Sequence, residues 1–169
     1  ILFLNNKSIV KQHWLSNLLL LIESDENIGI VGSKIINPKE ILYQAGGILW
    51  NNGEFLYYGY GDNSNFPEYN YVKEVDFISY ISIIMRKNIW EKIGGLNRNF
   101  FNLDYQFIDL ALEFRKLGYK IMYQPKSIVE YNTIIYNKSQ DYLYNNEISK
   151  NILIKRWKNY RRLYFITLE

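Results

Sequence analysis

Gly94–Tyr123 reads GGLNRNFFNLDYQFIDLALEFRKLGYKIMY, and the order of its parts decides the fold. The glycine pair Gly94-Gly95 ends a short helix. An aromatic loop follows. A second helix then presents Leu110, Phe114 and Leu117 as a buried stripe. Gly118 stands where a left-handed C-terminal cap belongs, and Tyr119–Tyr123 is an apolar strand. Asp109 has two readings in this frame. It is the N-cap of the second helix, satisfying free backbone N–H groups, or it is a carboxylate available for chemistry.

Reading toward the C-terminus, Ser127 to Tyr131 is another strand beyond Pro125. From Asn145 onward the chain is a basic helix with Ile152, Trp157, Tyr160 and Leu163 at core-facing spacing, and with Lys155, Arg156, Lys158, Arg161 and Arg162 beside them. That helix either covers the sheet or docks on an anionic membrane face.

Reading toward the N-terminus, Val72 to Met85 is extended. Asn88 and Glu91 have the spacing of a capping box. The long stretch from Leu56 to Tyr71 is too aromatic to be a free spacer, and loops of that length are commonly functional. Asn51-Asn52-Gly53 is a hairpin turn signal. Strand pieces from Ile35 to Leu49 are broken by Pro38 and by Gly46-Gly47. Ile28 to Val31 is a buried strand ending at Gly32. Before it lies a helix with Trp14, Leu15, Leu18, Leu19 and Ile22 on its apolar face, and Ile1 to Leu4 is a short strand. Strands alternating with helices give an α/β fold with a mixed sheet flanked by helices. Ligands in such folds bind beyond the carboxyl ends of strands, which draws attention to Asn5–Ser8 and to Asp76–Ser79.

The 169 residues suffice for one domain with a real core. Apolar content of 48% and charged content of 22% are those of a globular chain. The absence of cysteine removes disulfide scaffolds and thiol catalysis, and fits a cytoplasmic protein. A net charge of +3 with interspersed signs is too small to argue for nucleic acid. The run from Leu18 to Ile22 is far short of the roughly 18 residues a membrane span needs. The 16 tyrosines either offer stacking platforms for sugars or follow from compositional bias. The chain opens directly on a core strand, so it is expected to be a partial domain lacking a preceding half. Residues 1–143 would form its sheet and helices, and 144–169 a C-terminal basic helix.

Three segments, taken in order, carry a resemblance. They are FLNNKSIV at Phe3–Val10, YQAGGILWNNG at Tyr43–Gly53 and VDFISYISIIMRKNIWEKIGGLNRNFF at Val75–Phe101 continuing into DYQFIDLALEFRKLGYKIMYQPKSIV at Asp104–Val129. This set resembles the acceptor-side portion of family 2 glycosyltransferases with the GT-A fold, closest to bacterial enzymes that build O-antigen, rhamnosyl transfer included. The family pattern has a strand followed by Asn-Asn-Asp, then Val-Asp-x-x-Ser-Gly-Ala, Gly-Gly-Phe-Asp-Glu and Tyr-Glu-Asp-x-Asp-Leu. The resemblance implies a nucleotide-sugar donor and a saccharide or lipid-linked acceptor at the inner face of the membrane. The nucleotide-binding half would be the part that is absent.

The same resemblance implies a divalent metal, Mg²⁺ or Mn²⁺, to neutralise the leaving diphosphate, and a carboxylate base for the acceptor hydroxyl. Carried over residue by residue, the chemistry is depleted. Asn5 and Asn6 match, but Lys7 stands at the metal-ligand Asp. A protonated lysine cannot ligate a hard cation, although it can pair with a phosphate as a point charge. No metal cofactor is therefore expected. Gln106 and Phe107 replace the Glu-Asp pair. Tyr80 and Ile81 replace Gly-Ala, and Tyr131 stands near a late histidine. Asp76, Ser79, Gly94, Gly95, Asp109 and Gly118 are retained. Losses fall on chemistry and retentions on packing, the pattern of a pseudoenzyme or of a diverged, metal-independent enzyme.

The candidate residues follow. Asp104 and Asp109 are the carboxylates that could act as base. Asn6, Lys7, Trp50, Asp76 and Ser79 are candidates for substrate binding, with Trp50 as a stacking surface. Asp76 also reads as a buried carboxylate paired with Arg86 or Lys87. The single histidine, His13, has no metal constellation around it.

Overall fold

The computed structural model describes residues 1–132 and 140–160. Nine strands and four helices run in the order β1 (Leu2–Leu4), β2 (Ser8–Val10), α1 (Trp14–Ser24), β3 (Ile28–Ile36), β4 (Leu42–Gln44), β5 (Gly47–Leu49), β6 (Phe55–Tyr57), β7 (Lys73–Glu74), β8 (Ser82–Met85), α2 (Lys87–Ile93), α3 (Leu103–Lys116), β9 (Lys120–Tyr131) and α4 (Gln140–Arg156) among the described residues. A short 3₁₀ turn, Pro67–Tyr69, interrupts the long loop.

The main sheet has the order β1-β8-β3-β9-β2, with β4 extending β3 and β7 pairing with β9. It is mixed. β3 runs parallel to β9 and antiparallel to β8. Every residue of β3 is buried, so this strand is the spine of the molecule. Successive side chains of a strand face opposite sides, and Ile30 and Val31 therefore belong to different cores. Val31 and Ile84 pack with Leu18 and Ile22 of α1. On the other face, Ile30 and Ile83 pack with Ile108, Ala111 and Phe114 of α3 and with Leu153 and Trp157 at the end of α4. Each such side chain stabilises by roughly 1.5–3 kcal/mol through burial.

Several local expectations shift. Only Leu18 and Ile22 of the α1 stripe are fully buried, while Leu15 and Leu19 stay exposed. The strands on either side of Pro125 are one strand, β9, with a register break against β3 between Ser33 and Lys34. Asn88 is not a cap: α2 begins after Arg86, and no side chain caps it. Asp109 is not a cap either. α3 begins after Asn102, whose side chain accepts the Asp104 N–H at 2.7 Å, so Asn102 fills that role. The C-terminal helix starts at Gln140, ahead of the expected Asn145. Arg161, Arg162 and Leu163 lie outside the described residues. Gly118 has the left-handed conformation its position requires, with φ of +89°.

The segment between β4 and β7 positions the site. β5 and β6 form a hairpin over the Asn51-Asn52-Gly53 turn. Gly47 is obligatory there, because a Cβ would sit 2.2 Å from the Phe77 ring. The loop beyond the hairpin is pinned from beneath. Buried Lys34 donates to the Ser64 carbonyl at 2.8 Å and to Asn70 Oδ1 at 2.5 Å.

Candidate functional site

A cavity of about 860 Å³ opens between the β5–β6 hairpin, the loop after it, the start of α3 and the first turns of α4. This lies within the range of small-molecule sites, roughly 300–1,000 Å³. The loop contributes Tyr60 and Asp62, the hairpin Trp50, Glu54 and Tyr57, and β4 contributes Tyr43. Asp104 and Tyr105 come from α3, and Tyr142, Asn146, Glu147 and Lys150 from α4.

Tyr43 is the centre of the aromatic wall. Its ring lies 5.3 Å from Tyr57, 5.5 Å from Tyr60 and 5.8 Å from Tyr131. Asp104 lies in the first turn of α3 and accepts the Tyr57 hydroxyl at 2.5 Å. Burial first, and the Asp104 charge second, push the Tyr43, Tyr57, Tyr80 and Tyr142 phenols above their ordinary range. These phenols stay protonated and act as hydrogen-bond donors near neutral pH.

The position at which the resemblance would put a base is closed. Phe107 is 2% exposed and packs edge-on against Phe3 at 5.5 Å and at a tilt against Tyr80 at 6.1 Å. Gln106 turns its amide to the Phe100 carbonyl at 2.9 Å. Asp104 precedes Phe107 by one helical turn, and residues three apart on a helix are surface neighbours. Tyr80 is near both. The sequence offset between Asp104 and the replaced pair is thus a short step in space.

The other candidates are dispersed. Asn6 and Lys7 are exposed in the turn between β1 and β2, where the Lys7 N–H donates to Asn5 Oδ1 at 2.9 Å. Ser8, the next residue, pairs in register with Tyr131. Ser79 is 1% exposed and lies beneath the surface, so it cannot bind a substrate in this state. Asp76 accepts the Leu49 N–H at 2.9 Å and lies 3.8 Å from Arg115. Its expected partners were wrong: Arg86 donates to the carbonyls of Ile22, Asp25 and Ile28, and Lys87 lies 3.6 Å from Glu91. Asp109 is 2% exposed in the middle of α3 and receives Trp157 Nε1 at 2.6 Å and Arg156 Nε at 2.9 Å. Its carboxyl is a clamp for α4 and does not line this cavity; it borders a smaller one of about 220 Å³.

Of the candidates, the fold brings Trp50 and Asp104 together. Sequence reasoning missed Tyr43, Tyr57, Tyr60, Asp62 and the α4 residues. Their signal was the tyrosine clustering in and beside the long loop. The described residues do not fit a Mg²⁺ or Mn²⁺ ion at the position the resemblance implies. Lys7 brings a positive charge there, and no group of three or more His, Asp or Glu side chains is gathered to hold a metal among the described residues.

The mixed sheet with flanking helices is similar to a solved structure. The chain superposes on GalNAc-T7, solved with UDP, GalNAc and Mn²⁺, with a TM-score of 0.67 over 97% of this chain and 32% of that one, at 14% identity. The fold is GT-A-like. A protein of Sinorhizobium fredii described as "Uncharacterized protein y4gI" is 24% identical over 122 residues, covering 69% of this chain and 13% of that protein. The chain thus spans well under half of either relative. No family model matches the sequence. No helix among the described residues is long and apolar enough to cross a membrane.

Proposed function

We propose that the chain is the acceptor-side part of a family 2-like glycosyltransferase domain, and that the cavity beside Tyr43 and Asp104 holds the acceptor saccharide. The enzyme would serve cell-surface polysaccharide synthesis, with a free or lipid-linked saccharide as acceptor. The observation that carries this reading is Asp104. It is a carboxylate on the wall of an aromatic cavity, oriented by Tyr57, one helical turn from the plugged family position. Aromatic rings offer the apolar face of a sugar a packing surface, and carboxylates and amides accept its hydroxyls.

In the proposed reaction an acceptor hydroxyl attacks the donor's anomeric carbon. Its oxygen–carbon bond forms as the bond from that carbon to the diphosphate oxygen breaks, and Asp104 takes the hydroxyl proton. The configuration inverts. Lys7 is the point charge nearest in kind to what the departing diphosphate needs.

A second reading is a non-catalytic glycan-binding module, favoured by Phe107 filling the family base position. The test uses the full-length protein that contains this chain, a panel of nucleotide sugars and an oligosaccharide acceptor. Transfer by the wild type, reduced on the order of 10²–10⁴-fold in Asp104→Asn with acceptor binding retained, supports the enzyme. Saccharide binding without transfer supports the module. Failure to bind any saccharide overturns both.

A further inference from the structure

Resting on the saccharide reading of the cavity, we propose that Lys34, buried beneath the loop after the hairpin, is a positioning residue for the acceptor. It fixes the Ser64–Asn70 limb of that loop, and Tyr69 in that limb orients Asp62 toward a sugar hydroxyl. Lys34 belongs to β3, the spine strand, and is 4% exposed. Lysine is almost never fully buried unless it is paired, and a polar group in a core is costly unless it is hydrogen-bonded. No carboxylate pairs with Lys34 among the described residues; its amine donates to the Ser64 carbonyl and to Asn70 Oδ1. A methionine of similar length would pack there without burying an amine. The cost is borne at the point where the amine ties the spine strand to the cavity loop.

The limb that Lys34 holds is knit to itself and to β9. Asn70 Nδ2 donates to the carbonyls of Ser64 at 3.2 Å and Phe66 at 2.7 Å. Tyr123 of β9 donates its hydroxyl to the Tyr69 carbonyl at 3.0 Å. Tyr69 is thus held from both β3 and β9, and its own hydroxyl donates to Asp62 Oδ2. The backbone of Asp62 is fixed separately, because the Leu42 N–H donates to its carbonyl at 2.8 Å. Its backbone therefore places Asp62 in the cavity wall, and Tyr69 sets the direction of its carboxylate. A carboxylate has about four acceptor directions. The Tyr69 phenol takes one on Oδ2, and Oδ1 is the oxygen offered to the ligand. An acceptor already oriented loses little rotamer freedom when a hydroxyl binds it, which is where affinity is gained.

Calorimetry of the full-length protein decides this, with the methyl glycosides of glucose, galactose, mannose and rhamnose as probes. For a glycoside that binds the wild type, Asp62→Ala should weaken affinity about tenfold, the loss of one hydrogen bond to a charged group. Lys34→Met and Tyr69→Phe should each weaken it about three- to tenfold. In the Asp62→Ala background neither should weaken it further. A residue that only supports the fold, without acting through Asp62, would weaken binding by the same factor in both backgrounds. Tyr69→Phe deletes one hydroxyl and keeps the ring, so it carries the test if Lys34→Met does not fold. Unchanged affinity in Asp62→Ala, or the full loss persisting in the double variants, overturns the relay and leaves saccharide binding intact. No binding of any of the four glycosides to the wild type overturns the saccharide reading itself, and the relay with it.

Discussion

Trp157 donates its indole N–H to Asp109 at 2.6 Å, across 48 residues of sequence, and so fastens the end of α4 to the middle of α3. Arg156 reinforces the clamp, contacting Asp109 at 2.9 Å and Glu113 at 2.5 Å. The opposite end of α4 supplies Tyr142, Asn146, Glu147 and Lys150 to the cavity. Holding the helix and forming the cavity wall are therefore one structural task. Trp157→Phe should cost about 1–3 kcal/mol, because it strands a buried acceptor. Urea denaturation reads the loss, and hydrogen exchange at Asn146–Lys150 should rise with it.

The clamp also has a pH signature. Burial, which outweighs the Trp157 and Arg156 contacts, raises the Asp109 carboxyl above its ordinary 3.8. The folded state then binds a proton more readily than the unfolded state. Its contribution to stability is largest below 3.8 and is lost as pH rises through the folded value. Wild-type stability measured against Asp109→Asn should fall across that rise and then level off. A flat difference would contradict the burial argument.

Asp76 is expected to act on the hairpin, not on substrate. It accepts the Leu49 N–H at 2.9 Å and faces Arg115, whose guanidinium also donates to the Val75 carbonyl at 2.5 Å. Asp76→Asn keeps an acceptor for Leu49 and should cost little. Asp76→Ala leaves that N–H without its acceptor and should cost about 1–3 kcal/mol. A large loss of transfer activity in Asp76→Asn at unchanged stability would give Asp76 a direct part in the chemistry.

Local rules made much of this frame readable. Gly94, Gly95 and Gly118 mark helix ends because each takes positive φ there, and the Asn51–Gly53 turn signals its hairpin by the same chemistry. Long-range pairing was not readable. Asp109 looked like a cap because Asp caps helices, but Asn102 holds that place, and the partner that explains Asp109 lies in α4. Asp104 looked displaced when counted along the chain. Helical periodicity sets it beside Phe107, and Tyr57, 47 residues away, orients it. The tyrosines were ambiguous as a composition. Only the fold gathers Tyr43, Tyr57, Tyr60 and Tyr131 into a wall.

Lys73 sets the alkaline side of the stability profile. Burial lowers its amine from 10.5 to about 8. Between those values the unfolded chain holds the proton more tightly, so stability should rise with pH from about 8. Tyr43, Tyr80, Tyr105 and Tyr123 oppose this above 10.0, since burial holds their protons on in the fold. Denaturation midpoints between pH 8 and 10 should climb more steeply in the wild type than in Lys73→Met, which keeps only the rise from Lys34, whose amine burial also lowers. An undiminished climb in Lys73→Met would place its source elsewhere.

An aspartate at residue 107, where the resembled pattern has one, should damage the protein before it improves any reaction. Phe107 is 2% exposed, with Phe3 on one side and Tyr80 on the other. Removing a buried phenylalanine costs about 3–5 kcal/mol as a cavity, and a carboxylate in its place adds the penalty of an unpaired buried charge. Phe107→Asp alone should lower the melting temperature sharply without raising transfer. Adding Tyr80→Gly, the small residue of the pattern the sequence resembles, opens that flank and gives the carboxylate water, but it deletes a second packed ring, so the double variant should stay well below wild-type stability. The comparison separates a pocket closed by aromatic packing from one lacking only its base. Higher turnover in the single variant, at wild-type stability, would mean that Phe107 occupies no space a working site needs.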